Sequence, residues 1–352
     1  MILPSHMLLL DVGGTFIKCS DGRCIPMPSA GTRDQIAAAL RSAAAGLVQF
    51  GTEPRAAESF TPSGECCPQL SASPQSPAAT DGCKTAAHPA PTLAVAIPGP
   101  FDYERGIFLM RHKFAAVYSE SFRTLAGLPE SVDLRFMHDV IAALEGSLSD
   151  PVSLVRSGTE PRAAESFTPS GECCPQLGAS PQSPAATNQP ETALVTIGTG
   201  LGFAHTEGGR VQVGPNGSPA RSIYNLPWGD GILEDIVSAR GIRNAYARLS
   251  GRSHLSAAQI AQCADAGDEA ALQVFSDLGE TLGQALAPLL EELHAGTLLL
   301  AGQVSKSLPL FDRPLRNALD GIDIRPAPEG AVFTGLLRLA EGPKPRFDTP
   351  ER

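Results

Sequence analysis

Residues 8–18 read LLLDVGGTFIK, and the change of character inside this stretch decides how the chain folds. Leu8, Leu9 and Leu10 form an apolar run that ends at Asp11, Gly13-Gly14-Thr15 turn the chain, and 16–20 continue extended. Asp21-Gly22 then supplies a tight turn before 23–27, so the opening reads as a strand hairpin. Working outward, 34–48 carries apolar residues at helical spacing, and 92–97 reads as a buried strand stopped by Pro98-Gly99-Pro100. Farther on, 134–137 is a short strand running into a helix over 139–148. The stretch 193–197 is another strand, ending in Gly198-Thr199-Gly200-Leu201-Gly202. Residues 257–294 are helical, broken near Gly267-Asp268, and feed a strand at 297–301 that stops at Gly302. A helix over 331–340 closes an α/β pattern in which strands repeatedly lead into glycines.

Composition narrows the class of partner. Of 352 residues, 42% are hydrophobic and 18% charged, enough for a buried core in about two domains. The 37 acidic against 27 basic residues give a net charge of −10, the wrong sign for holding nucleic-acid phosphates or anionic lipid. No apolar run reaches the roughly 18 residues that span a bilayer, and the opening lacks a basic, signal-like start, so a cytoplasmic location is expected. The eight cysteines include two adjacent pairs, Cys66-Cys67 and Cys173-Cys174, and no spaced C-x-x-C, which suits reduced thiols better than a zinc site.

An internal repeat interrupts this pattern. The segment at 51–80 recurs at 158–187 with one difference, Ser71 against Gly178. The copies match at polar positions as closely as at apolar ones and lie far apart, which is the signature of inserted peptide rather than of a solenoid. Each carries five prolines and no apolar periodicity, so each is expected to be a surface loop. Each has net charge −2, and setting both aside leaves a body that is only mildly acidic.

The glycine turns carry chemistry. A polyphosphate needs several backbone N–H groups converging on it, and glycine lets the chain approach that closely. Asp11-x-Gly13-Gly14-Thr15 places a carboxylate at a strand end beside such donors and a hydroxyl, which suits a hydrated Mg²⁺ next to phosphate oxygens. Gly198-Thr199-Gly200-x-Gly202 offers a second cradle. Neither is the G-x-x-x-x-G-K-[ST] loop, and either alone could be a plain tight turn. Asp139 sits where a strand gives way to a helix; it could cap that helix or face a ligand.

Taken in order, these segments resemble the ROK proteins, sugar kinases and sugar-responsive repressors of the actin, Hsp70 and sugar-kinase superfamily. LLLDVGGTFIK, with Lys18 in its usual place, is similar to the first phosphate segment, and VTIGTGLG at 195–202 to the second. AIPGPFDYERG at 96–106 resembles the segment leading to the sugar pocket, RFMHDVIAALEG at 135–146 the catalytic segment, ADAGDEAALQVFSDLGETLGQAL at 264–286 the long helices and LLLAGQVSKS at 298–307 the adenosine segment. The resemblance implies two ribonuclease-H-like, actin-like ATPase lobes with a cleft between them: a smaller lobe of 7–137 joined by a C-terminal helix at about 331–345, a larger lobe of 138–330, and a flexible tail at 341–352. It further implies phosphorylation of a sugar hydroxyl by ATP with Mg²⁺. Asp139 would be the general base. Asp11, Gly13, Gly14, Thr15, Lys18, Gly198, Thr199, Gly200, Gly202 and Gly302 would hold the nucleotide, with Asp11 reaching Mg²⁺ through water. A homodimer is expected by the same analogy.

The sugar shell departs from the family pattern. His138 and Ile141 stand where ROK kinases usually place Asn, and Arg111-His112-Lys113-Phe114 replaces the common Pro-Asn. Gly99, His112 and His138 are the expected substrate contacts, and His112 or Lys113 could meet an acidic or phosphorylated sugar. The E-x-G-H and C-x-C-G-x-x-G-C-x-E motifs have become GPNGSP at 214–219 and NLPWGDGILE at 225–234, so no zinc site is expected. Asp230 and Glu234 could enter the cleft, although Glu234 suits the start of a helix. A sugar-sensing protein without turnover is the alternative; with the first phosphate segment beginning near residue 8, no N-terminal helix-turn-helix is expected.

Overall fold

The structure, a computed structural model, describes residues 3–48, 90–148 and 190–344. Both thirty-residue copies and the tail beyond 344, with the surface loops and flexible end expected there, lie outside the described residues. Strands β1 (Met7–Val12), β2 (Phe16–Cys19) and β3 (Cys24–Pro26) form an antiparallel meander, followed by helix α1 (Arg33–Val48) and strand β4 (Thr92–Ile97). A small hairpin, β5 (Phe101–Asp102) and β6 (Ile107–Phe108), and helix α2 (Phe122–Ala126) precede strand β7 (Asp133–His138), which leads straight into α3 (Asp139–Ser147). Strands β4 and β7 add parallel to β1, giving the order β3-β2-β1-β4-β7.

The second sheet repeats that order. It comprises β8 (Glu191–Ile197), β9 (Leu201–Glu207), β10 (Arg210–Val211), β13 (Ala295–Ala301) and β14 (Asp323–Pro326), arranged β10-β9-β8-β13-β14 with the last two strands parallel to β8. Between its halves run the short hairpin β11 (Pro227–Trp228) and β12 (Gly231–Ile232) and helices α4 (Leu233–Ile236), α5 (Ala239–Ser250), α6 (Ala257–Asp265) and α7 (Glu269–Glu292). Helices α8 (Leu308–Ala318) and α9 (Ala331–Glu341) complete the described chain. The expected break in the long helical stretch falls between α6 and α7, where Gly267 takes φ +88° and the Asp268 carboxylate accepts the Ala271 N–H at 2.9 Å as an N-cap.

Strand periodicity explains which faces are covered. In β1 and β4, Leu8, Leu10, Leu93, Val95 and Ile97 face a core with Ile36, Leu40 and Leu47 of α1, whereas Leu9, Ala94 and Ala96 face Leu336, Leu339 and Ala340 of α9. In the second sheet Val195, Ile197, Leu298 and Leu300 pack under α5–α8, and Leu194, Ala204 and Leu299 meet Val140, Ile141, Ala143 and Leu144 of α3. Helices α3 and α9 therefore lie together, one against each sheet. Among the described residues no helix is long and apolar enough to cross a membrane.

Apart from a helix start at Glu234, the sequence reading assigns no element between 202 and 256, yet the structure places there two strands, a hairpin and two helices. Strand β9 escapes because its buried centre includes His205 and Thr206, which are covered through pairing with β8 rather than through an apolar run of their own. Helix α5 begins at an unread cap, Ser238 Oγ accepting the Gly241 N–H at 3.1 Å.

The α3–α9 crossing is made by glycine. A methyl group built on Gly146 would lie 1.7 Å from the Ala331 carbonyl oxygen, and one on Gly335 would lie 2.1 Å from the Ala142 oxygen. Arg135 of β7 donates to the carbonyls of Leu339, at 2.7 Å, and Gly342, and Arg338 donates to the Glu145 carbonyl at 3.2 Å, fixing the end of α9. Alanine at position 146 or 335 would gain about 1 kcal/mol of helix propensity. The backbone collision is expected to reverse that gain, so that Gly146→Ala and Gly335→Ala each lose about 1–3 kcal/mol in urea unfolding; a gain in stability would contradict the close crossing.

Candidate functional site

One cavity of about 2240 Å³ opens between the sheets. Its walls include each residue expected to hold nucleotide, Mg²⁺ or substrate: Asp11, Gly13, Gly14, Thr15 and Lys18 from the β1–β2 turn, Gly99 and His112 from the segments after β4, and His138 and Asp139 from the β7–α3 junction. Gly198, Thr199, Gly200 and Gly202 arrive from the β8–β9 turn and Gly302 from the end of β13. Asp230, the other acidic candidate, is exposed and lies outside this wall.

The first turn closes through the Gly13 N–H, which donates to the Phe16 carbonyl at 2.9 Å. Asp11 stands opposite Lys18 in the β1–β2 register, and its Oδ2 is 3.1 Å from Lys18 Nζ. Burial raises the Asp11 carboxyl above its ordinary range; Lys18 opposes the rise and the neighbouring Asp139 charge adds to it. An inward carboxylate that the fold itself makes costly to ionise gains from a cation brought beside it, so its chemistry fits a Mg²⁺ held through water.

The second turn is braced from outside. Gly198 N–H donates to Gly200 O at 2.9 Å, and the Ala239 N–H at the start of α5 donates to Gly198 O at 2.8 Å. Glu234 begins α4 as expected, but its side chain turns into the cavity wall, where Oε2 accepts the Leu201 N–H at 3.0 Å. The sequence reading allowed Glu234 into the cleft but favoured a helix start; the residue does both, and that its carboxylate reaches back to the turn follows from tertiary placement. Gly302, at φ +93°, admits no side chain, because a methyl group there would lie 2.3 Å from the Ile197 carbonyl oxygen.

Asp139 combines the two roles that its position in the sequence left open. Its Oδ1 accepts the Val140 N–H at 2.7 Å, a cap-like contact in the first turn of α3, while the residue lines the cavity with its side chain 35% exposed. His138 Nδ1 is 2.7 Å from the same oxygen, and Nε2 accepts the Gly99 N–H at 3.3 Å. A nitrogen and a carboxylate oxygen this close share a hydrogen, so Nδ1 carries it. Nε2 faces the Gly99 N–H, so the ring is fixed in orientation between that backbone donor and the Asp139 carboxylate. Tyr103, buried with its hydroxyl on the Ile97 carbonyl at 3.0 Å, packs against the ring at a centroid distance of 5.8 Å. Burial pushes the Asp139 carboxyl upward, but His138, the Val140 N–H and Lys113 outweigh it and hold the group below its ordinary range.

No protein-family model matches the sequence. A curated glucokinase from Halalkalibacterium halodurans is 28% identical over 163 residues, 40% of this chain and 49% of that protein, so the match spans about half of the relative's length. Among solved structures, a ROK family glucokinase from Streptomyces griseus in complex with glucose and AMPPNP superposes with a TM-score of 0.61 at 17% identity, covering 95% of this chain and 98% of that one. A ROK family transcriptional regulator, a homologue of the E. coli MLC protein, superposes with a TM-score of 0.54 at 16% identity, covering 96% and 82%. The fold is thus that of the two-lobed, actin-like sugar kinases.

The pair made by His138 and Asp139 has a measurable signature. In carbon-detected NMR the Asp139 carboxyl should titrate below the ordinary aspartate range, and His138→Gln should shift it upward as burial prevails. With the folded value depressed, the ionised group stabilises the fold above the unfolded-state value, a contribution lost as pH falls through the folded one. An unchanged titration in His138→Gln would remove the imidazole from this role.

Proposed function

We propose that the protein is a carbohydrate kinase, transferring the terminal phosphoryl group of ATP to a sugar hydroxyl in the cavity between the sheets. The observation that carries this reading is that two glycine turns, from different sheets, and one oriented carboxylate line a single cavity. The half-length match to a curated glucokinase and the likeness in fold to a glucokinase solved with glucose and AMPPNP support it. The smaller lobe would comprise 7–137 with the C-terminal helix, and the larger lobe 138–330.

In this reading the backbone N–H groups of the Gly13-Gly14-Thr15 and Gly198-Thr199-Gly200 turns hold the phosphates, with Gly202 and Gly302 letting the chain approach closely. Mg²⁺, when bound near Asp11, supplies charge neutralisation on the phosphate oxygens. Asp139, kept ionised by its neighbours, accepts the proton of the acceptor hydroxyl as that oxygen bonds to phosphorus and the bond to the ADP leaving group breaks. His138 holds the carboxylate, and Gly99, whose N–H fixes the imidazole, ties that alignment to the segment after β4.

Turnover decides the matter. Purified protein with ATP, Mg²⁺ and a panel of hexoses, amino sugars and sugar acids should release ADP with at least one of them. Asp139→Asn should lower that rate by about 10²–10⁴-fold while the sugar still binds. The regulator among the structural neighbours supplies the second reading: a sugar bound in calorimetry without ADP release would make the protein a sensor. Asp11→Asn should lose the dependence on Mg²⁺ concentration yet unfold no more easily at neutral pH. The folded state disfavours the Asp11 charge, a penalty present above its raised pKa and absent in the amide.

A further inference from the structure

Among the described residues, Lys113 is the one cation on the cavity wall that lies near both glycine turns. A methyl group on Gly14 would lie 3.9 Å from its Cδ, and one on Gly200 would lie 3.7 Å from its Nζ. The side chain thus runs from the first turn to the second, with its ammonium at the second. Its charge is also felt by Asp139. Among the described residues Lys113 makes no hydrogen bond or ion pair, although it is half-buried. Lys18, by contrast, is committed to Asp11.

The loop that presents Lys113 is built to hold it there. Phe114 is fully buried in the aromatic cluster of the first lobe, 5.4 Å between ring centroids from Phe108, with φ 56° and ψ 22°. A bulky residue in the left-handed region is strained, and its buried ring must offset that strain. The Phe114 N–H donates to the Ser29 carbonyl at 2.7 Å, while Ser29 Oγ donates to the Gly14 carbonyl at 2.6 Å. Ser29 therefore fixes the lysine loop to the first turn itself.

Resting on the kinase reading, we infer that Lys113 is a catalytic residue that grips the terminal phosphoryl group of the nucleotide, between the two turns and the Asp139 carboxylate. A group passing from a phosphate cradle to an acceptor oxygen beside Asp139 must cross the space that this ammonium borders. A positive charge fixed there opposes the charge that builds on the transferring oxygens, and no proton leaves it. The alternative for a free lysine in this wall, recognition of an anionic acceptor, would place its partner on the acceptor alone and leave its approach to both phosphate turns without a use.

Binding separates these roles without turnover. ATP and ADP, each with Mg²⁺ and no acceptor, are titrated calorimetrically into the full chain and into Lys113→Gln and Lys113→Arg. Lys113→Gln should weaken ATP roughly ten- to a hundredfold, as expected for a lost charge-assisted hydrogen bond, while ADP stays within about twofold. Lys113→Arg, which keeps the charge, should keep most of the preference for ATP. In turnover, kcat of Lys113→Gln should fall by about 10²–10³-fold with the acceptor KM unchanged. Equal loss of ATP and ADP, or unchanged nucleotide affinities with weakened binding of a sugar acid, would overturn the inference alone. Failure of the unmodified protein to bind either nucleotide would overturn the kinase reading and this inference with it.

Discussion

The backbone-to-backbone contact of α3 and α9 is the constraint on which the site depends. Gly146 and Gly335 bring these helices so near that the space for a single methyl group is already taken by a carbonyl. Because α3 packs against the second sheet and α9 against the first, this crossing sets the separation of the two sheets. Asp139 is the first residue of α3, so its carboxylate is positioned by the same contact. Among the residues around it, those of the β8–β9 turn and Gly302 come from the other sheet, and their approach depends on how close the two helices stand.

Charge in the cavity is arranged by partners rather than by exposure. Asp11 and Asp139 face the same space, yet burial prevails at one and is overcome at the other. The difference lies in what each meets. Asp11 has Lys18 alone, at the end of a flexible and exposed side chain, whereas Asp139 has an imidazole locked by Gly99, a helical N–H and the charge of Lys113. A pair of like carboxylates in one cleft is thereby split into one ready to gain from a cation and one kept free of its proton.

Much of this was legible in the chain. Strands that run into glycine, as at Ile197 and Ala301, announce both their burial and their ends, and Asp139 stands at a strand-to-helix junction that the apolar pattern marks on both sides. What could not be read is contact between distant segments. Glu234 reads as a helix start that could also enter the cleft, and nothing local shows that it caps a turn thirty-three positions earlier. Lys113 sits in a short polar run with no periodicity, and its reach depends on a strained Phe114 whose neighbours are fixed only by folding. Between 202 and 256, β10 and the β11–β12 hairpin have two-residue strands too short to show a period, whereas α5 buries Ile242 and Tyr246 on one face and its pattern was legible but unread.

The shared strand order of the two sheets has a consequence for how the cavity evolved its division of labour. β1 and β2 with their glycine turn are the counterpart of β8 and β9 with theirs, so the two turns hold equivalent places in their sheets. A symmetric vessel cannot by itself tell donor from acceptor. In the kinase reading, direction would come from what the second half does not mirror, namely the carboxylate at the head of α3 and the lysine loop that follows β6.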